Sequence, residues 1–420
     1  MSSGLKKIAL WAAGVLIGLV MLFAVLMATC SVSVPYYKAA RKVSLKPSVA
    51  PRPVSKEAWA FVALANKMPS ASPAESAMWE LPEKLAWPTE AALKNATATT
   101  TLLRKRFLKA MRSPGCYPSL MPLTAPDKGR PKVEGLFFLR GIRAVGSHAV
   151  LLGLQGQPDH AARNLMAIAD RLEAYENHCR RLLIDQMIWF AARGMLMGYF
   201  AYLVVHPALS TRSVAAILNR LFRWSNAELN PVTDTLRYEA RWALSQLDKV
   251  SHDAPSGFWP WYSEDRTKTW MRSVFQIAVH RSRRPVNAAF WKDIRKDRLV
   301  TSHYNRLGGL GEFLQYNADG LTLVMELLRT HTRYILLWHH WRCIASARRA
   351  QLIQFIRRHR VVIAAKLDQA APVNSLTGGP FASLTAQVCA VTGPGGRVWH
   401  AGVWLVKLPT IPTPANKGGQ

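Results

Sequence analysis

Three acidic residues spaced three positions apart are the clearest candidates for acid–base chemistry in this 420-residue chain. Asp170, Glu173 and Glu176 would lie near one another along a helix. Two neighbouring carboxylates can act as general acid and general base, as in glycoside hydrolysis. The alternative is a solvated helix face, because Arg171 and Arg180 lie close in sequence. Whether the chain is an enzyme stays open on this evidence, and Glu173 and Glu176 are its catalytic candidates.

The histidines and glycines match no metal or phosphate motif. His331, His339 and His340 fall in one helical stretch, but a metal-binding pair needs histidines four residues apart with a carboxylate nearby. The glycines at 308, 309 and 311 have no strand before them and no Gly-Lys-Ser after them, unlike a phosphate-binding loop. The sequence therefore predicts no metal and no cofactor.

The densest basic stretch, at 281–298, predicts an anion-binding surface. Phe290 and Trp291 lie among its cations, and this mixture suits an anionic lipid surface or an anionic polymer of the cell envelope. The stretch matches no nucleic-acid-binding module, so we expect no nucleic-acid partner. Its cationic residues are Arg281, Arg283, Arg284, Lys292, Arg295, Lys296 and Arg298.

The whole chain is strongly basic, with 55 Lys and Arg against 25 Asp and Glu, a net charge of +30. Such a charge favours contact with anionic surfaces. The plainer interpretation is that many arginines lie on solvated helix faces.

The five cysteines show no spacing typical of a zinc site and no CxxC motif. One or two disulfides are possible if the chain is exported, but the sequence favours buried free thiols. The cysteines are Cys30, Cys116, Cys179, Cys343 and Cys389.

The element that would position these candidates is the uncharged run at 8–29, which follows Lys6 and Lys7 and a short tail at 1–7. At about 1.5 Å per residue it is long enough to cross a hydrocarbon core of about 30 Å. A cleaved signal peptide and a lipoprotein modified at Cys30 are alternatives, but the length of the run and Met27 and Thr29 fit neither. We predict a retained signal anchor that crosses a bacterial inner membrane once.

The flanking charges leave the orientation of this span open. Several cations between 38 and 46 follow the span, and a literal count of positive charges favours a cytoplasmic domain. Lys6 and Lys7 directly abut the apolar run, as in exported proteins. On that ground we expect the bulk of the chain in the periplasm.

Beyond the span the sequence predicts a basic, Pro-rich linker at 31–56, one helical domain at 57–408 and a flexible tail at 409–420. Residues 182–205 are apolar enough for a second span but carry Asp185 and Arg193. Burying these charges in lipid would cost several kcal/mol, so this segment is predicted to be a core helix.

The predicted fold class is mainly α: an N-terminal transmembrane helix plus an irregular multi-helix bundle with minor β structure near the C-terminus. Apolar stripes at steps of three and four support the helices, for example Leu165, Ile168 and Leu172. One helix is expected at 90–111 and a long one at 321–360. A strand is expected at 398–408.

One passage near the C-terminus resembles an uncharacterised group of bacterial membrane-anchored helical proteins. The Arg-rich run RRAQLIQFIRRHR at 348–360 is followed by PVNSLTGGPF at 372–381. In that group an Arg-rich helix precedes a turn similar to DPxTGxPF and a small strand. Asn374 stands near the position of the acid, and the group's HGxYP motif is missing here. The match covers about a tenth of the chain and implies architecture and location only.

Together these features predict a single-pass, membrane-anchored envelope protein with a basic helical extracytoplasmic domain. We expect it to act as a scaffold or to bind partners: the lipid bilayer, anionic lipid or envelope polymer, and a protein of the inner membrane. The alternative is an envelope hydrolase or transferase that uses carboxylates.

Overall fold

The computed structural model describes residues 18, 21, 43–47, 52–68, 88–118, 135–179, 182–226, 230–250, 264–284, 318–365, 383–384, 388–391 and 404–408. The chain divides into two compact units. The first contains residues 1–46 and 240–333, and the second contains residues 47–239 and 334–420. The range 57–408, treated above as one helical domain, is therefore shared between two units.

The described residues are mainly α-helical, which confirms the mainly α part of the predicted fold class. The predicted span at 8–29 lies outside the described residues apart from Gly18 and Met21, and the predicted tail lies outside them entirely. The helices are α1 (Lys56–Lys67), α2 (Glu90–Thr99), α3 (Thr101–Arg112), α4 (Gly135–Leu154), α5 (Pro158–His178), α6 (Leu183–Val205), α7 (Thr211–Asn226), α8 (Asn230–Val250), α9 (Glu264–Ser282), α10 (Ala318–His359) and α11 (Val361–Ala364).

The core of the second unit is built on α4, α5 and α6, each of which packs against the other two. The end of α6 is buried on every side, from Tyr199 to Val205. Gly146 lets α4 approach this helix closely, because a Cβ at that position would overlap the Tyr199 ring. A helix that is apolar all round has to lie inside the protein or in a membrane.

Two described helices are long and apolar enough to cross a membrane, Leu136–Leu154 and Leu183–Val205. Most of each is buried inside the second unit. Core helices meet the same criteria of length and composition, so this is weak evidence for membrane association. The burial of both helices agrees with the prediction that 182–205 is a core helix.

The single helix expected at 90–111 is divided into α2 and α3 at Thr100. This residue has φ −99° and ψ 7°, outside the helical region. Its hydroxyl donates to the Ala96 carbonyl at 3.1 Å, and the Thr101 hydroxyl donates to the Thr97 carbonyl at 2.9 Å. Threonine hydroxyls that bond to preceding carbonyls compete with the helical pattern. The run of threonines therefore explains why the helix does not continue.

A disulfide joins Cys116 to Cys179, so the preference for free thiols was wrong for this pair. The two Cα atoms are 5.6 Å apart, and the bond ties the segment after α3 to the end of α5. Next to it, Tyr117 lies 4.8 Å from Phe138 on α4 and 6.2 Å from Phe61 on α1, measured between ring centres. Cys343 is buried and forms no disulfide. Cys30 lies outside the described residues.

In the first unit, parts of three helices enclose a separate apolar core. Ala240 and Leu247 of α8 lie with Phe275 of α9 and with Val324 and Leu328 of α10.

Near the C-terminus, β1 (Ser383–Leu384), β2 (Val388–Val391) and β3 (Trp404–Lys407) form a small antiparallel sheet in the order β1-β2-β3. The strand β3 lies within the strand expected at 398–408.

Candidate functional site

The centre of the second unit contains a buried ion pair between Arg193 on α6 and Glu176 on α5. Both side chains are less than a tenth exposed. The amide of Gln186 also donates to Glu176, at 3.3 Å. The Arg193 guanidinium lies between two indole rings, 5.3 Å from the centre of Trp224 and 5.6 Å from that of Trp338. We call these five residues the Arg193 cluster.

A second arginine, Arg220 on α7, binds two acidic residues of α5. It is almost completely buried and pairs with Asp170 and, at 2.7 Å, with Glu173. The indole N–H of Trp224 donates to the same Glu173 carboxylate at 2.8 Å. Because Trp224 also belongs to the Arg193 cluster, these two ion-pair systems are continuous.

Arg171 fixes the opposite side of α5. Its guanidinium donates to the carbonyl oxygens of Ser113 and Gly115, and it lies 4.8 Å from the centre of the Tyr175 ring. These carbonyls are directly before the Cys116 disulfide. The charged residues of α5 therefore fasten this helix to three neighbouring parts of the unit.

This arrangement changes the role expected for the two catalytic candidates. Glu176 is enclosed with Arg193, and Glu173 is shared by Arg220 and Trp224. A general acid has to reach the atom that it protonates, and both carboxylates are instead engaged by cations and an N–H donor of neighbouring helices. The structure brings the two candidates together with cations, in positions that hold helices in place.

A small cavity of about 10 Å³ lies beside the Arg193 cluster, large enough for about one water molecule. Met197, Trp341 and Arg342 line it together with members of the cluster. The Arg342 Nε donates to the Ser225 carbonyl at 2.9 Å, and burial lowers the pKa of Arg342. Its volume is far below that of a substrate pocket, which is usually several hundred Å³.

A larger, open groove of about 410 Å³ lies at the start of α5. Asp159 is its main polar residue and accepts hydrogen bonds from Ser210 and Ser213. Burial alone would raise the pKa of Asp159, but these hydrogen bonds outweigh it and lower the pKa. Gln157, His160 and Arg163 complete the polar lining. Neither Glu173 nor Glu176 lines this groove or the smaller cavity.

Sequence reasoning missed one carboxylate with unusual titration, Glu239 on α8. It accepts a hydrogen bond from the Leu183 N–H at 3.1 Å, while Asp185 accepts one from the Leu182 N–H at 3.2 Å. Burial raises the pKa of Glu239 to about 7 against the effect of the Leu183 hydrogen bond, and the nearby Asp185 charge raises it further. No local spacing could have indicated this pair, since the residues are 54 positions apart (239 − 185). Both carboxylates cap the start of α6.

Two of the candidate histidines, His331 and His339, are buried. The ring of His331 lies 4.4 Å from that of Phe275, and burial lowers the pKa of His331 to about 3. Burial also lowers the pKa of His339 to about 3, with a smaller contribution from Arg342. Among the described residues, no group of three or more His, Cys, Asp or Glu side chains is placed to hold a metal ion.

Only the first part of the predicted anion-binding stretch lies within the described residues. Arg281 is 2 % exposed, so it cannot contribute to a surface and that part of the prediction needs correction. Its position at the end of α9 turns it inward. Arg283 is exposed and Arg284 is partly exposed. The remaining cations of the stretch, Lys292, Arg295, Lys296 and Arg298, lie outside the described residues.

Comparison with known proteins adds no functional assignment. No family model matches the chain, and neither a curated protein nor a solved structure matches it. The resemblance described for the C-terminal part therefore stays a prediction.

Proposed function

We propose that this chain is a single-pass anchored protein of a bacterial inner membrane, with its basic helical part in the periplasm. There it acts as a scaffold or binding protein for anionic envelope components and for a protein partner. Residues 8–29 supply the anchor. Of the linker predicted at 31–56, Leu45 packs against the core of the first unit and Pro53 and Ser55 are hydrogen-bonded to Cys116, so these residues belong to the fold.

The observation that carries the location is the disulfide between Cys116 and Cys179. Disulfides form and persist in oxidising compartments such as the periplasm and are rare in a reducing cytosol. This one holds the segment after α3 against α5, beside the carbonyls that Arg171 binds. A domain that contains this bond suits the side of the membrane where thiols are oxidised.

The ion pairs formed by the candidate carboxylates favour a binding function over a catalytic one. Glu173 and Glu176 are used in ion pairs, and the two cavities described above do not contain them. Cations are abundant by comparison, with a net charge of +30 for the whole chain. A protein with this excess attracts anionic polymers and surfaces over long distances.

A reporter fusion tests the location. Alkaline phosphatase joined to the C-terminus of the full chain should be active, because it folds only where its own disulfides form. In the same cells, Cys116 and Cys179 should resist alkylation until a reductant is added. An inactive fusion together with freely alkylated cysteines would contradict a periplasmic domain.

Anion binding is tested with the full chain in nanodiscs of phosphatidylcholine and a fluorescent acidic polysaccharide as the probe. Alanine at Arg283, Arg284, Lys292, Arg295, Lys296 and Arg298 should weaken binding by about tenfold or more, since each lost cation removes favourable charge contact. Arg281 is left intact because it is buried. Alanine at the exposed residues Arg357 and Arg358 is a control with less charge removed. Equal binding by all variants would contradict this surface.

The competing function is an envelope hydrolase or transferase that uses carboxylates. The observation in its favour is the pair formed by Asp185 and Glu239, because a carboxyl with a pKa of about 7 can donate a proton near neutral pH. Retention of any detected hydrolytic activity by a Glu239→Gln variant would exclude Glu239 as that acid.

A further inference from the structure

The helix α3 presents a continuous cationic face to solvent. Lys105, Arg106, Lys109 and Arg112 are all exposed, and Leu102 between them is 55 % exposed. At about 100° per residue, these five side chains fall within an arc of about 120°. The helix contains no acidic residue.

The opposite face of α3 is firmly packed, so the exposed face has a fixed direction. Leu103, Phe107, Ala110 and Met111 are buried, and the ring centre of Phe107 lies 5.4 Å from that of Phe138 on α4. The surrounding core therefore holds the helix in place, and its cations are not needed for packing.

The end of the basic linker lies beside the same helix. The Cys116 N–H donates to the Pro53 carbonyl at 2.8 Å, and the Ser55 N–H donates to the Cys116 carbonyl at 3.0 Å. Lys56 follows directly and is exposed. The acidic residue here is Glu57, whose pKa is lowered by a hydrogen bond from its own backbone and one from Ser113, with smaller effects of Lys109 and Lys56. One carboxylate does not neutralise this group of cations.

We propose that the exposed face of α3 binds the anionic headgroups of the bilayer in which the chain is anchored, through Lys105, Arg106, Lys109 and Arg112, with Leu102 entering the interface. This inference rests on the proposed membrane anchor. A group of four Lys and Arg residues close to a membrane anchor is typical of surfaces that bind anionic headgroups, and a soluble polymer offers no apolar layer for Leu102.

Because the chain is tethered to the membrane, a small cationic face is sufficient for lipid binding. A free domain with four cations binds anionic lipid weakly, because each contributes little and salt screens it. Covalent attachment to the anchor keeps the face near the bilayer, and the effective lipid concentration is then high. The anchor supplies proximity and α3 supplies orientation.

Lysine footprinting of the full chain in nanodiscs tests this proposal. Acetylation of Lys105 and Lys109, followed by mass spectrometry, should be at least about threefold slower with phosphatidylglycerol present than in phosphatidylcholine alone. Sodium chloride should restore the faster rate because it screens the contact. Lys94 on α2 is the internal control, since it is exposed but paired with Glu90. Equal rates for Lys105 and Lys109 in both lipids would overturn the inference.

A charge-matched pair of variants separates this surface from net charge. Arg106→Glu with Arg112→Glu should abolish the protection, while Arg357→Glu with Arg358→Glu on α10 should leave it intact. All four positions are exposed, so both variants should keep the helical circular dichroism of the wild type. Loss of protection in both variants would mean that only net charge matters and would contradict a role for α3.

The outcomes also distinguish the inference from the proposed function. If the chain floats with vesicles but Lys105 and Lys109 stay unprotected, the anchor stands and the inference is wrong. If the chain does not float, the anchor fails and the inference fails with it. Protection by soluble dextran sulfate but not by phosphatidylglycerol would assign the face to a polymer and contradict the lipid assignment.

Discussion

Arg193 carries its charge in a buried part of the second unit. Glu176 pairs with the guanidinium on one side, and the ring faces of Trp224 and Trp338 lie against it on the other sides. These contacts compensate for the lost hydration of the charge. Removing two charges from water costs several kcal/mol per ion, and only a close partner with further hydrogen bonds offsets this. Loss of one member of the pair should therefore destabilise the unit more than loss of both.

The first prediction concerns this ion pair. Arg193→Met should lower the free energy of unfolding of the second unit by about 3–5 kcal/mol, because Glu176 would be left buried without its cation. The double variant Arg193→Met with Glu176→Leu should regain much of that loss. Chemical denaturation followed by tryptophan fluorescence measures both. The control is Lys94→Met, which breaks an exposed pair and should cost less than about 1 kcal/mol. Equal losses for Arg193→Met and Lys94→Met would contradict this account.

The second prediction concerns pH. The pKa of Glu239 is raised from 4.5 to about 7, so between these values the folded state binds the proton more tightly than the unfolded chain. Stability from this group is therefore highest below pH 4.5 and falls as pH rises through 7. Glu239→Gln keeps an acceptor for the Leu183 N–H but cannot ionise. At a pH well above the folded pKa, the variant's free energy of unfolding should exceed that of the wild type by about 1–3 kcal/mol. At a pH below the unfolded pKa, the difference between the two proteins should be much smaller.

Denaturation of both proteins across this pH range gives the difference directly. The effects of other titrating groups cancel in that difference. A constant gap between the two proteins from acid to alkaline pH would show that Glu239 keeps an ordinary pKa.

At the scale of elements, the approach of α4 to α6 depends on one glycine. A Cβ at Gly146 would overlap the ring of Tyr199, whereas a Cβ at Gly153 would lie 3.6 Å from Leu203, an ordinary contact. Gly146→Ala should therefore destabilise by about 1–3 kcal/mol through overpacking. Gly153→Ala on the same helix should be neutral or stabilising by up to about 1 kcal/mol, because alanine favours the helix. Thermal denaturation with the opposite order of stabilities would sink this explanation of the helix contact.

The helices that sequence could predict are those with one apolar face. The stripe through Leu165, Ile168 and Leu172 predicted α5, and all three residues are buried. No such stripe marks α4, where apolar residues, glycines and Arg140 alternate without a solvated face, so the sequence does not predict this helix. The period of apolar residues reveals a helix only when one face is apolar and the other polar, and α4 has almost no such contrast.

The chemistry of the acidic residues was harder to predict than their location. Their spacing on α5 was evident, but their partners Arg193 and Arg220 come from two other helices. From the sequence, the charge of Arg193 indicates only that α6 does not cross a membrane. Tertiary packing decides whether a carboxylate faces a cation, a substrate or water, and no local pattern carries that information.

At the scale of the whole molecule, net charge and surface charge differ. Several arginines are buried and therefore belong to the interior: Arg140, Arg193, Arg220, Arg237, Arg281, Arg348 and Arg349. The charge of +30 thus overstates what a partner meets. The cations that remain on described surfaces, such as those of α3, are the better guide to binding.

The last prediction links the compartment to the stability of the second unit. The disulfide closes a loop with a sequence separation of 63, and loss of such a crosslink should lower the free energy of unfolding by about 4 kcal/mol. A reductant should therefore lower the melting temperature of the wild type but not of a Cys116→Ala, Cys179→Ala variant. Cys343→Ala is the matched control and should retain the effect, because this thiol forms no disulfide. An unchanged melting temperature of the wild type in reductant would show that the unit holds together without the bond, and the strongest argument for an oxidising compartment would be lost.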